Sequence, residues 1–294
     1  MSFSIVKEIA VCKGKLYKLT HESSTVKGNM NLNLYVPSKT SSTKIPTIYY
    51  LSGLTCSPDN CTEKGFVQFQ ADKYGFAVVY PDTSPRNVTW PKDVNIDTSN
   101  WALGEGAGFY LNSDKFENFK MFDYICKELP VSLNESEFGK TIDFIEKKSI
   151  MGHSMGGMGA LNFYLKGKLN EISPYVSCSA FAPVANPTDC PWGVDAFEFY
   201  FEKGIKAGEA IDPTLIIGSE AFKGKSLDIV ITTGDSDPFF KNQLRTENFI
   251  KAVEENNVQN VTINIEKGFD HSYFFVSTFV PQHCEFHAQK LGLI

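Results

Sequence analysis

The feature that most restricts how this chain can fold is a serine flanked by glycines where one residue periodicity gives way to another. In "IMGHSMGGMGAL" (150–161) a short apolar run, "KKSIM" (147–151), passes into Gly152-His153-Ser154-Met155-Gly156 and then into a stretch of helical character. A strand that feeds a helix through so short a corner forces the corner residue into a strained backbone conformation and lifts its side chain above the sheet. Glycines are needed on both sides because side chains there would collide with neighbouring backbone. The pattern G-x-S-x-G in this setting marks Ser154 as a candidate nucleophile with an accessible hydroxyl.

The remaining sequence supplies the sheet that such a corner requires. "MNLNLYVP" (30–37) alternates apolar and polar residues as a half-buried strand does, whereas "IPTIYYL" (45–51) and "FAVVYPD" (76–82) are continuous apolar runs suited to strands covered on both faces. Between those two, "EKGFVQFQADKYG" spaces Phe66, Phe69, Lys73 and Tyr74 as on one helical face, which predicts a strand, crossover helix, strand unit. The alternation continues with a helix near 116–129 stopped by Pro130, the strand at 147–151, a helix from about 155 and a strand "YVSCSAFA" (175–182). It closes with strand "LDIVITT" (227–233), helix 242–255, strand "VTINIEK" (261–267) and a last helix toward the C-terminus. These elements predict one α/β domain over residues 1–294, a mostly parallel central sheet with helices on both faces and an antiparallel N-terminal part. Residues 83–110 contain no such pattern; an irregular stretch of that length, with two tryptophans and "GEGAGFY", is expected to be packed and functional.

Composition excludes several classes of function. Asp and Glu number 34 against 28 Lys and Arg, a net charge of −6 without long runs of one sign, which argues against nucleic acid or an anionic membrane as partner and for a small molecule or protein. No run approaches the ~20 apolar residues of a membrane span. The seven cysteines (12, 56, 61, 126, 178, 190 and 284) show no C-x-x-C spacing and are expected as reduced thiols in a cytoplasmic protein. Lys7 and Glu8 interrupt the N-terminal apolar stretch before it reaches signal-peptide length. "GEGAG" (104–108) lacks the preceding strand and third glycine of a dinucleotide loop. His283 and His287 lie four apart on a predicted helix, yet "HCEFH" lacks the H-E-x-x-H order of zinc hydrolases, so they are expected as core or solvated residues, with no metal and no cofactor.

A serine hydroxyl needs a base, and the base needs an orienting carboxylate. In the α/β-hydrolase architecture these follow the serine in the order acid, then histidine, on loops after strands. His21 is expected to precede the sheet, and His153, inside the corner, to point away from its neighbour's oxygen. His271 remains, in "KGFDHSYFF", directly after the strand "VTINIEK". For the acid, "TTGDSDPFF" offers Asp235 and Asp237, one to support the imidazole and the other to order the turn through its own backbone; Asp270, beside His271, is the weaker candidate. An oxyanion needs two backbone N–H donors, for which Met155, after the nucleophile, and Leu54, in "YYLSGLTCSPDN", are placed.

At this level of detail the chain resembles the S-formylglutathione hydrolases, also called esterase D. The resemblance runs through "YLSGLTCSPDN", "FQADKYGFAVVYPDTSPR", "GAGFYLN", "MFDYICKELP", "GHSMGGMGAL", "SAFAPVANP", "CPWG", "GDSDPF" and "FDHSYFFVSTFVPQHCEFHA", nearly the full length. It implies Ser154 as nucleophile, Asp237 rather than Asp235 as the acid, His271 as the base, and the Leu54 and Met155 amides as the oxyanion hole. It further implies hydrolysis of a glutathione thioester to formate and glutathione through a formyl-enzyme, a place in formaldehyde detoxification, and a homodimer. The competing reading is a general short-chain carboxylesterase using the same residues. Cys56, two residues past Leu54, is a candidate regulatory thiol whose alkylation or glutathionylation would block the pocket; Trp192 and the segment near Trp101 are candidate pocket walls.

Overall fold

Among the described residues a single nine-stranded sheet forms in the order β1-β2-β3-β5-β4-β6-β7-β8-β9. It is seen in a computed structural model that describes residues 3–38, 44–94, 96–97 and 99–294. Met1 and Ser2 of the N-terminal stretch, and residues 95 and 98 of the irregular stretch 83–110, lie outside the described residues.

The strands are β1 (Phe3–Val11), β2 (Gly14–Ser23), β3 (Gly28–Val36), β4 (Thr47–Leu51), β5 (Ala77–Pro81), β6 (Lys148–His153), β7 (Cys178–Phe181), β8 (Ser226–Gly234) and β9 (Gln259–Glu266). β1, β2 and β3 pair antiparallel, and β3 meets β5 antiparallel; from β5 through β9 every pairing is parallel. With helices on both faces, this is the α/β-hydrolase fold. Burial matches composition in β4 and β5, whose apolar runs are buried throughout, and in β3, buried at Met30 and exposed at Asn29 and Asn31; β6 and β7 are buried throughout as well, although they carry the polar Lys148, Ser149, His153 and Ser179. Among the described residues no helix is long and apolar enough to cross a membrane.

Three local expectations are corrected. His21 does not precede the sheet; it lies on β2, buried, its ring stacked on Phe3 at 4.5 Å and its Nδ1 3.3 Å from the Tyr124 hydroxyl. The chain there alternates poorly because β1 is an edge strand exposed on both sides, so its pattern carries no hydrophobic period. The crossover helix between β4 and β5 breaks into Pro58–Lys64 and Val67–Tyr74. The second piece buries Val67, Ala71 and Tyr74 and leaves Phe66 and Phe69 exposed, the reverse of the expected face for the two phenylalanines. Pro130 does not end the helix before it. A π-helical turn, Tyr124–Glu128, joins Met121–Asp123 to Leu129–Glu135, and Pro130 follows directly on that turn, where the backbone hydrogen bonding already departs from the α pattern.

The irregular stretch is packed in part: residues 106–110 are buried, whereas residues 91–93 and Trp101 are exposed. Trp90 inserts among Phe116, Phe119 and Phe199 with ring centroids 5.1, 5.0 and 5.7 Å away.

The C-terminal helix Tyr273–Lys290 is fastened to the sheet by the two histidines considered as metal ligands. His287 bridges Ser177 Oγ through Nδ1 at 2.7 Å and Ser179 Oγ through Nε2 at 2.8 Å, while His283 stacks on Phe181 at 3.9 Å and reaches Thr232 Oγ1 at 2.9 Å. Burial lowers the pKa of His287 to about 3 and that of His283 well below its usual value, His287 adding to the effect at His283. Burial acts in the same direction on His21 and His153. Each is therefore neutral in the folded protein and regains an ordinary pKa near 6.5 when unfolded. Below that pH the unfolded chain binds more protons, so stability falls as pH falls. Each fully buried imidazole removes up to about 1.4 kcal/mol per pH unit. The urea midpoint is expected to drop steeply between pH 7 and pH 5; a midpoint constant over that range would contradict neutral buried histidines.

Candidate active site

The corner after β6 has the strained geometry that the glycines suggest. Ser154 sits at φ 58°, ψ −120°, a left-handed conformation that costs a non-glycine residue of order 1–3 kcal/mol. It is held from both sides: Ser154 N–H donates to Phe181 O at 2.9 Å, and Ser154 O accepts from Val184 N–H at 3.2 Å and from Met158 N–H at 3.1 Å. The flanking glycines permit the approach of the helix Met155–Lys168. A Cβ on Gly156 would stand 2.1 Å from Leu51 O, and one on Gly152 would stand 2.1 Å from Gly156 O. Glycine in a helix costs about 0.5–1 kcal/mol relative to alanine, and this helix begins with two in succession, Gly156 and Gly157. Burial of twelve of its fourteen residues offsets that cost.

Ser154 itself is only 4 % exposed, so the corner lifts its hydroxyl off the sheet but neighbouring loops cover it. One of these loops follows β4. A Cβ on Gly53 would lie 3.1 Å from Ser154 Cβ, which places the Gly53–Leu54 backbone against the serine. This loop is braced from three directions: Tyr110 OH donates to Ser52 O at 2.7 Å, Thr55 N–H donates to Gly106 O at 2.9 Å, and Arg86 Nη2 donates to Cys56 O at 2.7 Å. Arg86 is in turn fixed by the buried Asp82, at 2.7 Å from Nη2. Met155 occupies the first turn of the helix after Ser154, where backbone N–H groups lack intrahelical acceptors.

The loops after β8 and β9 bring a carboxylate to an imidazole. Asp237 Oδ2 lies 2.5 Å from His271 Nδ1, with the Asp237 side chain fully buried and His271 slightly exposed. The other oxygen, Oδ1, accepts from Phe239 N–H at 2.8 Å. The two remaining aspartates have local duties. Asp235 Oδ1 accepts from Gly268 N–H at 2.7 Å, joining the two loops, and Asp270 Oδ1 accepts from Ser272 N–H and Oγ at 3.0 and 2.7 Å at the start of the C-terminal helix.

The His153 ring packs on His271, centroids 4.6 Å apart, and on Tyr273 at 5.4 Å. Burial, and then proximity to His271, hold its pKa well below the usual histidine value, so it stands beside His271 as a neutral ring. Phe239 also meets His271, edge-on at 5.1 Å, and Trp192 packs on Phe239 at 4.7 Å. Trp101 is 59 % exposed; its neighbour Asn100 donates to Asp195 Oδ2 at 2.8 Å on the helix Pro191–Tyr200 that carries Trp192.

Cys56 is partly buried beside Tyr273. Burial raises its thiol pKa, against the opposing pull of the Tyr273 hydroxyl, a Gly53 backbone bond, Lys64 and Arg86. Cys61, fully buried nearby, accepts from Ser52 Oγ at 2.8 Å and contacts the Tyr273 hydroxyl at 3.4 Å. Sequence reasoning missed His153, Phe239, Tyr273, Arg86 and Tyr110. The last two sit in the irregular stretch 83–110, whose length was the only signal for them.

The Esterase family model matches residues 23–286. The S-formylglutathione hydrolase of Saccharomyces cerevisiae is 48 % identical over 304 residues, covering 99 % of each chain, and that of Arabidopsis thaliana is 40 % identical over 284 residues, covering 95 % of this chain and 94 % of the plant protein. The solved structure of an S-formylglutathione hydrolase from Agrobacterium tumefaciens superposes with a TM-score of 0.86 at 34 % identity, covering 98 % of this chain and 99 % of the bacterial one. Full-length similarity to three such proteins, on a sheet whose loops bring an aspartate to a histidine and leave a serine at a strained corner, makes this chain a hydrolase and a member of the S-formylglutathione hydrolase family.

Proposed function

We propose that the protein hydrolyses S-formylglutathione to formate and glutathione, with Ser154 as nucleophile, His271 as base, Asp237 as the orienting acid and the Leu54 and Met155 N–H groups as oxyanion donors. The observation that carries the reading is the 2.5 Å contact between Asp237 Oδ2 and His271 Nδ1. A carboxylate at Nδ1 selects the tautomer protonated there, which leaves Nε2 with a free lone pair to accept a proton. Ser154 Oγ attacks the thioester carbonyl as its proton passes to His271 Nε2, and the Asp237 charge stabilises the imidazolium that results. The C–S bond then breaks and glutathione leaves. A thiol has a pKa of about 8.5, far below an alcohol, so this departure needs little protonation and thioesters are the easier substrates. Water, deprotonated by the same imidazole, attacks the formyl-enzyme; formate and free Ser154 are the products.

The curated relatives named S-formylglutathione hydrolase support the choice of substrate over that of a general short-chain carboxylesterase. On the same reading the enzyme acts as one domain in the cytoplasm, removes the product of formaldehyde capture by glutathione, and works as a homodimer; sedimentation at the mass of one chain would refute the dimer. Trp192, through Phe239, walls the acyl side of the site, and Trp101 forms part of its outer rim.

Ser154→Ala is expected to lower kcat on S-formylglutathione by ~10⁴-fold or more with an unchanged circular dichroism spectrum, and Asp237→Asn by about 10⁴-fold. Near-wild-type turnover of either variant would remove that residue from the mechanism.

Cys56 is proposed as a thiol whose modification closes the pocket. Because burial raises its pKa, the thiolate is scarce at neutral pH. Inactivation by N-ethylmaleimide is expected to accelerate from pH 7 to pH 9 and to vanish in Cys56→Ser. Full activity after stoichiometric labelling of Cys56 would end the regulatory role.

A further inference from the structure

The loop after β4 enters the helix Pro58–Lys64 between two cysteines. Ser57 is the N-cap: its Oγ accepts from Asp59 N–H at 3.3 Å, while Asn60 Oδ1 accepts from Ser57 N–H at 2.9 Å, so a reciprocal capping box fixes the start of the helix. Cys56 is then the residue before the cap and Cys61 the fourth helical residue. Those are the two positions whose side chains meet across a capped helix start, as the apolar pair of a staple does.

One hydroxyl serves both sulfurs. Tyr273 OH lies 3.4 Å from Cys61 Sγ and also hydrogen-bonds the Cys56 thiol. Access differs between the two. Cys61 is fully buried, with Ser52 Oγ donating to its sulfur at 2.8 Å, whereas Cys56 is partly exposed. A reagent from solvent therefore meets Cys56 and does not reach Cys61. Burial raises both thiol pKa values, that of Cys61 to about 12, where the neighbouring Cys56 also contributes. What this arrangement offers instead of thiolate is proximity, because a thiol held against its target acts at an effective concentration that no free thiol attains.

We propose that Cys56 and Cys61 form a redox-active dithiol, in which Cys61 resolves a mixed disulfide made at Cys56. This deepens the reading of Cys56 as a modifiable thiol given above. The oxidant is glutathione disulfide. The Cys56 thiolate attacks one of its sulfurs, the S–S bond breaks, and the first glutathione leaves, taking up the proton that Cys56 shed. Cys61 then attacks Cys56 Sγ, and its proton goes to the second glutathione as that leaves. Two protein thiols are oxidised, one glutathione disulfide is reduced to two glutathiones, and a Cys56–Cys61 bond remains. Tyr273 OH, shared by the two sulfurs, donates to whichever of them is the thiolate. The bond acts on the site through the backbone. Cys56 O accepts from Arg86 Nη2 at 2.7 Å and from Thr83 Oγ1, and Cys56 N–H donates to Gly53 O at 3.3 Å. Drawing Cys56 onto the helix therefore pulls on the turn that presents Leu54.

The test incubates wild type, Cys61→Ser and Cys61→Ala with glutathione disulfide at mildly alkaline pH, quenches with acid, and reads unreduced digests by mass spectrometry. Wild type is expected to carry the Cys56–Cys61 disulfide in at least about ten-fold excess over glutathione on Cys56, whereas both variants keep the glutathione. The bridged wild type is expected to lose at least about ten-fold in kcat/KM on S-formylglutathione, with recovery on adding dithiothreitol. Wild type that keeps glutathione on Cys56, that bridges through another cysteine, or that stays reduced overturns the dithiol; this readout needs no variant to fold and no turnover. A Cys56–Cys61 bond with undiminished turnover overturns its action on the Leu54 turn. Reduced wild type that fails to hydrolyse S-formylglutathione overturns the thioester reading instead, and the digests still decide the dithiol.

Discussion

The backbone at Ser154 is the constraint on which the rest of the site depends. A left-handed φ at a non-glycine residue is unfavourable by itself, and it persists because the adjacent strands over-determine it. Phe181 O at the end of β7 takes the Ser154 N–H, Val184 N–H takes its carbonyl, and Leu51 O at the end of β4 lies so close to Gly156 that the helix can start in only one position. The parallel sheet therefore does more than bury apolar residues. It supplies, on both sides of β6, the backbone groups that hold the corner in its strained state.

Once that corner is set, the sheet order determines what can join it. β4 lies on one side of β6, and β7, β8 and β9 follow on the other. The loop after β4 reaches the serine at Gly53, and the loops after β8 and β9 meet each other through Asp237 and His271. His271 then packs against both His153 and Phe239. A neutral, buried His153 gives its neighbour a packing surface without adding a charge that would compete with Asp237. The division of labour among the acidic residues follows from the same geometry: Asp235 ties the two loops, Asp270 starts the last helix, and Asp237 alone meets the imidazole.

The N-terminal antiparallel part extends this edge. Because β3 runs opposite to β5, its beginning rather than its end lies beside the loop of Arg86. Arg86 couples this part of the sheet to the loop after β4, since one guanidinium both pairs with Asp82 at the end of β5 and grips the carbonyl of Cys56.

Much of this was legible in the primary structure. Continuous apolar runs marked β4 and β5 because strands covered on both faces must be apolar throughout, and G-x-S-x-G marked the corner that ends β6 because only glycine tolerates such close backbone approach. The order of serine, aspartate and histidine along the chain was visible in the same way. Other features depended on contacts between distant segments, which no local period encodes. β1 carries no hydrophobic alternation because it is exposed on both sides, so neither it nor the place of His21 on β2 could be read. Phe66 and Phe69 had helical spacing, but a break between two short helices turned them to solvent. The orientation of His153 was decided by where β9 delivers His271, and the bracing of the 52–56 loop by how residues 83–110 fold back on it. Residue types and local periodicity determine which chemistry this chain can carry; tertiary packing alone decides which of several eligible side chains meet, because proximity across the sheet edge is a property of strand order and not of sequence spacing.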